Sequence, residues 1–337
     1  MRERVLITGG AGFIGSHLAD RLLQEGHTVR VLDVLDPQVH PSGLRPAYLN
    51  QAVEFIEGDV RDRDVLSNVL RSIDVIFHFA AVVGVGQSMY EIARYVDVNC
   101  GGTATLLDVL VNGKYSVRKL LVASSMSIYG EGRHHCDSCG DIAPGLRAYD
   151  QLQAQQWEVF CPICRGVAHP KATDEQKPLM PSSVYAVTKR DQEELCLSVG
   201  RAYNIPASAL RFFNVYGPRQ SLSNPYTGVA AIFISRLMNE NQPLIFEDGL
   251  QRRDFVDVRD VVTACVLAMD SDAANYRAFN VGTGSAINVR QIADTLNQVL
   301  ESDIDPLITK KFREGDIRNC YPDISLITRT LGYQPAH

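Results

Sequence analysis

Basic residues are in short supply. The 337-residue chain holds 33 Lys and Arg against 39 Asp and Glu, a formal net charge of −6. A general nucleic-acid binder needs the opposite surplus to neutralise phosphates, so that class is excluded. Any anionic ligand must be held by individually placed arginines. Long apolar runs are also missing: Val5–Thr8 is too short for a signal-peptide core, and no later run approaches a membrane span. The expectation is a cytoplasmic protein with no membrane partner. Internal repeats and low-complexity tracts are absent too. What is there is an ordinary globular composition, 45% hydrophobic and 21% charged, over a length that suits two closely packed lobes.

The first 125 residues alternate short apolar runs with helix-length segments. Val5–Thr8, Thr28–Asp33, Val53–Gly58, Asp74–Ala80 and Lys119–Ser124 read as buried parallel strands. Phe13–Glu25, Asp62–Arg71 and Met89–Val111 read as the helices between them, which implies an α/β fold with a doubly wound parallel sheet. Residues 131–180 break the pattern and show no period. A helix over Ser182–Tyr203 and a strand over Pro206–Phe213 follow. The remainder reads as smaller elements: helices near Gly228–Asn239, Arg259–Met269 and Val289–Leu300, with strands near Leu244–Phe246 and Asp254–Val258. The expected division is a dinucleotide-binding domain over 1–213, with an insert at 131–180, and a partly interleaved lobe over 214–337.

Thr8–Gly15, with glycines at Gly9, Gly10, Gly12 and Gly15, lies between the first strand and the first helix. Glycines there permit a sharp turn and let the backbone approach a pyrophosphate, while the free N–H groups opening the helix at Phe13 and Ile14 favour anions. Asp33 ends the second strand 18 residues after Gly15. An acid at that position accepts from both ribose hydroxyls and repels a 2′-phosphate, so NAD is favoured over NADP. Asp59 and Val60 after the third strand, and Phe79, Ala80 and Ala81 after the fourth, fall at the same sheet edge.

Tyr185 and Lys189 stand four residues apart near the start of a helix, hence on one face, one turn apart. A free tyrosine has a pKa of about 10. A neighbouring ammonium favours the phenolate and makes it a usable base. Ser125 closes the fifth strand at the edge that holds the glycine loop, where its hydroxyl can bond a substrate oxygen. On these residues in this order, the chain resembles the NAD-dependent epimerase/dehydratase family of extended short-chain dehydrogenases over almost its whole length.

The resemblance continues in Arg211–Arg219, Phe246–Phe255 and Arg313–Asp316. It implies a nucleoside-diphosphate sugar as substrate and NAD as cofactor. It implies that Asn99 joins the cofactor site, that Ser88, Ser127, Asn214, Val229 and Asp316 line the sugar side, that Phe246 flanks the base, and that Arg253 and Arg313 clamp the diphosphate. Arginine forks suit such a ligand. Dehydratases of the family carry an Asp-Glu pair where this chain has Met126 and Ser127, and 3,5-epimerases carry a cysteine at Ser127. Neither Met126 nor Ser127 can do general acid–base work of that kind. What remains is the equipment of a 4-epimerase. Within the family, Val82–Glu91, Ser124–Gly130 and Asn224–Phe233 look most like the branch acting on dTDP-L-rhamnose. UDP-glucose epimerisation, net 4-ketoreduction and a non-catalytic NAD-binding regulator stay open as alternatives. The resemblance also implies a homodimer built from the helices over Met89–Val111 and Ser182–Tyr203, and a further helix after Leu331–His337.

Eight cysteines in a reducing compartment need a role other than disulfides. Cys136 and Cys139, then Cys161 and Cys164, form two CxxC knuckles separated by 21 residues. That spacing is a zinc signature, and four thiolates close the coordination sphere, so the metal is expected to be structural. A glycine after each second cysteine permits the tight turn. Cys100, Cys196, Cys265 and Cys320 read as small buried hydrophobes, and His134, His135 and His169 as solvated loop histidines.

Overall fold

A computed structural model describes residues 2–113, 115–221, 228–313 and 315–337. Residues 222–227, which hold the start of the Asn224–Phe233 string, lie outside them. Seven strands form one parallel sheet: β1 (Arg4–Thr8), β2 (Thr28–Asp33), β3 (Glu54–Glu57), β4 (Val75–His78), β5 (Lys119–Ser125), β6 (Ala207–Phe212) and β7 (Arg277–Val281). Their order is β7-β6-β5-β4-β1-β2-β3, so the winding reverses between β1 and β4. In open sheets of this kind, ligands bind outside the carboxyl ends of the strands at that reversal.

Side chains of β1 alternate between two cores. Val5 and Ile7 pack with Leu18 and Leu22 of α1 (Phe13–Gln24) on one face; Leu6 packs with Leu106 and Leu110 on the other. The helices of that second face are α2 (Arg63–Val69), α3 (Gly102–Asn112) and α4 (Val184–Tyr203). α5 (Val258–Asp270) joins α1 on the first face through Val261 and Cys265. The interleaving of the chain is therefore deep: α5 and β7, both after residue 213, complete the large sheet and its cover. The strand Arg277–Val281 is absent from the sequence reading.

The smaller lobe packs helices Val229–Met238 and Val289–Val299 around Phe233, Ile245 and Ile292. Its strands are short. Arg252–Arg253 lies between Ile287–Asn288 and Asn319–Cys320, and Asn214–Tyr216 pairs with Phe255–Asp257.

One expectation needs correction. Met89–Val111 is not one helix. Single turns at Val85–Ser88 and Ile92–Tyr95 precede a π-helical segment, Val96–Gly101, that runs into α3. Gly102 sits so close to β3's outgoing loop that a Cβ there would meet Val60 Cγ2 at 2.7 Å. The insert, for its part, is ordered. His134–Cys136 pairs antiparallel with Gly140–Ile142 and with His169–Pro170, and Tyr149–Gln153 makes a short helix. Strands of two or three residues carry too little alternation to be seen in sequence. Among the described residues, no helix is long and apolar enough to cross a membrane.

Candidate active site

The glycine loop joins β1 to α1 at the reversal point. Gly9 has φ +70°, and a Cβ on it would lie 2.8 Å from the Ala80 nitrogen; one on Gly15 would lie 2.6 Å from Gly9 oxygen. Both positions need glycine, because backbone passes backbone there. α1 opens on Gly12 with no side-chain cap, so its first N–H groups face the sheet edge unscreened. Phe13 lies edge-on to His17, and Ile14 packs into the core. Asp33, at the end of β2, accepts from Ala11 N (3.0 Å) and Leu35 N (2.9 Å). Burial raises its pKa against those two bonds. One oxygen thus steadies the glycine loop beside the place a ribose would occupy.

The neighbouring loops are crowded against that site. Phe79 packs edge-on to Phe77 and Phe212, Ala80 donates its N–H to Thr8 Oγ1 (3.2 Å), and Ala81 follows half-buried. Val60 is buried, whereas the Asp59 carboxylate is engaged by Arg61, whose guanidinium lowers its pKa. Asn99 lies in the π segment and is fully buried. Its amide oxygen accepts from Val82 N (2.8 Å), and its nitrogen donates to Val82 O (3.1 Å) and Thr188 Oγ1 (2.9 Å). Asn99 therefore clamps the loop after β4 to α4.

Ser183 caps α4, accepting from Ala186 N at 3.1 Å, which places Tyr185 in the first turn near the positive end of the helix dipole. Burial raises the Tyr185 pKa, and a hydrogen bond from Ser125 lowers it. Ser125 in turn accepts from Ser127 through both Oγ (2.9 Å) and N (3.2 Å). Ser127 thus stands behind Ser125. Lys189 is buried; desolvation pulls its ammonium down to about 8, and it donates to Gln192 Oε1 at 2.6 Å. Ser125 at the carboxyl end of β5 is brought to the Tyr185–Lys189 pair in the first turns of α4, from which it is remote in sequence. Met126 is buried against Tyr129, Phe213 and Cys320, away from any acid–base task.

On the sugar side the picture is mixed. Asn214 Oδ1 is buried, and among the described residues nothing donates to it. The Arg313 guanidinium stacks 4.2 Å from the Phe246 ring centroid, forming a flat, cationic platform. Arg253 is turned inward: it donates to the carbonyls of Arg252 (2.8 Å), Ile317 (2.7 Å) and Arg318 (2.9 Å), so it fastens Ile317 and Arg318. Asp316, whose pKa burial raises, lies near both arginines. Ser88 is fully buried with its hydroxyl on Val85 O (2.6 Å), and Val229 packs among the apolar residues of the small lobe.

Sequence reasoning missed the buried charges that fasten the insert. Arg147 makes a two-pronged pair with Glu247 (2.7 and 2.9 Å) and reaches Trp157 O and Asp316 O. Arg318 pairs with Glu247, Asp248 and Glu158. Glu131 accepts from Arg318 N and Asn319 N, both at 2.6 Å. The insert is thus keyed to the segments that carry Phe246, Arg313 and Asp316. Nothing in residue type alone marks these pairs.

The sulfurs of Cys136, Cys139, Cys161 and Cys164 all lie within 4.8 Å of one another. A tetrahedral zinc with Zn–S bonds near 2.3 Å needs about 3.8 Å between sulfurs; Cys136 and Cys164 stand 3.4 Å apart and no pair exceeds 4.8 Å, so small shifts fit the set. Backbone N–H groups of Cys164 and Ile163 favour the Cys161 thiolate and bring its pKa down to about 7. Gly140 takes the left-handed turn of the first knuckle (φ +77°); in the second knuckle Arg165 (φ +66°), not Gly166, does so. Cys196, Cys265 and Cys320 are buried and Cys100 partly so. His134 is no loop histidine: it is fully buried, and desolvation drops its pKa to about 4.

The profile of the NAD dependent epimerase/dehydratase family matches residues 5–149 and 165–282, the gap falling inside the insert. The dTDP-L-rhamnose 4-epimerase of Burkholderia thailandensis is 36% identical, over 99% of this chain and 91% of that one. A crystal structure of UDP-glucose 4-epimerase with UDP-glucose, from Thermotoga maritima, superposes with a TM-score of 0.80 at 31% identity, over 98% of this chain and 93% of that one. The UDP-glucuronic acid 4-epimerase of Bacillus cereus, in complex with UDP-glucuronic acid and NAD, gives a TM-score of 0.80 at 27% identity, over 99% and 94%. With the glycine cradle and the Ser-Tyr-Lys constellation at the same sheet edge, these matches place the chain in the NAD-dependent epimerase/dehydratase family, as one of its epimerases.

Proposed function

We propose that the chain inverts C4 of a nucleotide-activated hexose, dTDP-L-rhamnose first among the candidates, with tightly held NAD and no net redox change. The observation that carries this is Tyr185, hydrogen-bonded by Ser125 at the end of β5 and one helical turn from Lys189, with no acid pair at 126 and 127. Residues Gly9, Gly12, Gly15 and Asp33 would hold the cofactor. When bound, NAD⁺ supplies the acceptor, and then the donor, of the electron pair at the sugar carbon. Ser125 orients the C4 oxygen; Tyr185 takes its proton and later returns it; Lys189 favours the phenolate electrostatically. Asn214, Phe246 and Arg313 would hold the nucleotide end, leaving the sugar ring free to present its other face.

The 36% identity to a dTDP-L-rhamnose 4-epimerase favours that sugar over UDP-glucose. Incubation with each sugar nucleotide and ¹H NMR of the products tests it: the C4 epimer of dTDP-L-rhamnose is expected. A 4-keto-6-deoxy product from dTDP-glucose would show a dehydratase instead. The four cysteines would hold one structural zinc. A homodimer is expected through α3, α4 and the turns before them, where Val85, Met89, Tyr90, Ile92, Val96 and Val187 are exposed; a monomer mass by light scattering would refute it.

A further inference from the structure

We infer that Gln192, through a buried hydrogen-bond chain that reaches His78, is the positioning residue that fixes the Lys189 ammonium, one helical turn from the reacting tyrosine. The inference rests on the role given to Tyr185 and Lys189 above.

The proton positions in this chain follow from the donors and acceptors alone. An ammonium only donates, so the Gln192 group 2.6 Å from Lys189 Nζ is its carbonyl oxygen. The Gln192 nitrogen then faces Thr103 Oγ1 at 2.8 Å and donates to it. Thr103 gives its own hydrogen to Asn99 O at 2.5 Å, so it can only accept from His78 Nε2 at 2.9 Å. That makes His78 the Nε2–H tautomer, leaving Nδ1 to accept from Thr8 Oγ1 at 2.8 Å. Thr8 Oγ1 in turn accepts the Ala80 N–H beside the glycine loop. In this arrangement the second Gln192 hydrogen goes to Ala80 O at 3.4 Å, the 3.3 Å contact between Gln192 Nε2 and His78 Nε2 is not a hydrogen bond, and His78 is uncharged.

The burial agrees. His78, Thr103, Thr8 and Gln192 are each 0% exposed. Desolvation, with Lys189's charge second, holds the His78 pKa down to about 3. This polar chain lies fully buried behind Lys189. Its effect is to aim one amide dipole at Nζ while adding no charge. A carboxylate in that place would neutralise the ammonium and forfeit its pull on the phenolate. The other ionisable groups facing Lys189 are Cys196 and Glu193 on α4, Cys100 on the π segment and His78 on β4. Tyr95 lies edge-on to Tyr185, and Ser125 bonds it. The Glu193 carboxylate is committed to Arg211 and Ser124.

Two variants give opposite signs. Gln192→Glu places a negative charge on Nζ, so the pKa values of both Lys189 and Tyr185 rise. Both limbs of the pH–rate profile then move to higher pH, by about one unit. Gln192→Met removes the acceptor, destabilises the ammonium and moves the alkaline limb to lower pH. The readout independent of turnover is ¹⁵N NMR of the purified protein. Wild type shows His78 as the Nε2–H tautomer down to pH 5. The Lys189 amine titration moves up in the Gln192→Glu variant and down in the Gln192→Met variant. Unchanged limbs and an unchanged lysine titration in both folded variants would overturn the inference, as would a charged or Nδ1–H His78. Full activity of a Lys189→Met variant would instead overturn the role of Lys189 itself.

Discussion

Replacing Arg147 with methionine probes how far the cysteine insert is part of the nucleotide-holding lobe. Arg147 and Glu247 side chains are each 2% exposed and joined by two hydrogen bonds. Removing one partner of a buried pair costs about 3–5 kcal/mol, because the other charge is left uncompensated. Here Arg318 Nη1 stays 3.2 Å from Glu247, which offsets part of the loss, so about 3 kcal/mol is expected. Two carbonyls, Trp157 O and Asp316 O, also lose their donor. Trp157 is the sole tryptophan and lies in the insert, so its fluorescence reports that segment, while far-UV circular dichroism reports the whole. In urea, Arg147→Met should separate the two transitions, fluorescence first, where the parent shows one. Adding Glu247→Gln should cost less than the sum of the single changes. Coincident transitions and a change under about 1 kcal/mol would refute the view that this pair fastens the insert.

Calorimetry should find NAD bound far more tightly than NADP, with Asp33→Ala narrowing the gap; equal affinities in the parent would contradict the placing of Asp33. Freshly purified protein should contain one zinc per chain by elemental analysis, and Cys161→Ser should weaken sugar-nucleotide binding more than NAD binding; protein without zinc would remove the metal reading. Stability should fall on acidification between about pH 6.5 and pH 4. The native pKa values of His78 and His134 lie well below that of a free histidine, so the unfolded chain takes up protons that the native state refuses. The slope should approach about 1 kcal/mol per pH unit for each histidine, and His134→Asn should reduce it; an unchanged slope would contradict its buried, neutral state.

The large sheet was legible because β1, β4 and β5 carry buried apolar runs, while the glycine loop and Asp33 mark its ligand-binding edge. β7 escaped notice: Arg277–Val281 has an exposed arginine, a half-buried alanine and a buried Asn280, so it lacks an apolar run. The break at Val96–Gly101 was hidden because its cause is tertiary, with Asn99 tying a loop to α4. The bonds from Arg253 to the carbonyls of Ile317 and Arg318 were not legible either, because those partners are remote in sequence. His78 and Gln192 carried no signal, since single polar residues inside helix and strand patterns look like ordinary surface or core until their partners are seen.

The proposed reaction comes down to what happens at one carbon. dTDP-L-rhamnose carrying deuterium at C4, incubated with the purified protein and no added cofactor, should yield its C4 epimer with the label retained at C4. The same incubation with Tyr185→Phe should be slower by about 10²–10⁴-fold. Loss of the label to solvent, a requirement for added NADH, or a product inverted at any other carbon would contradict it.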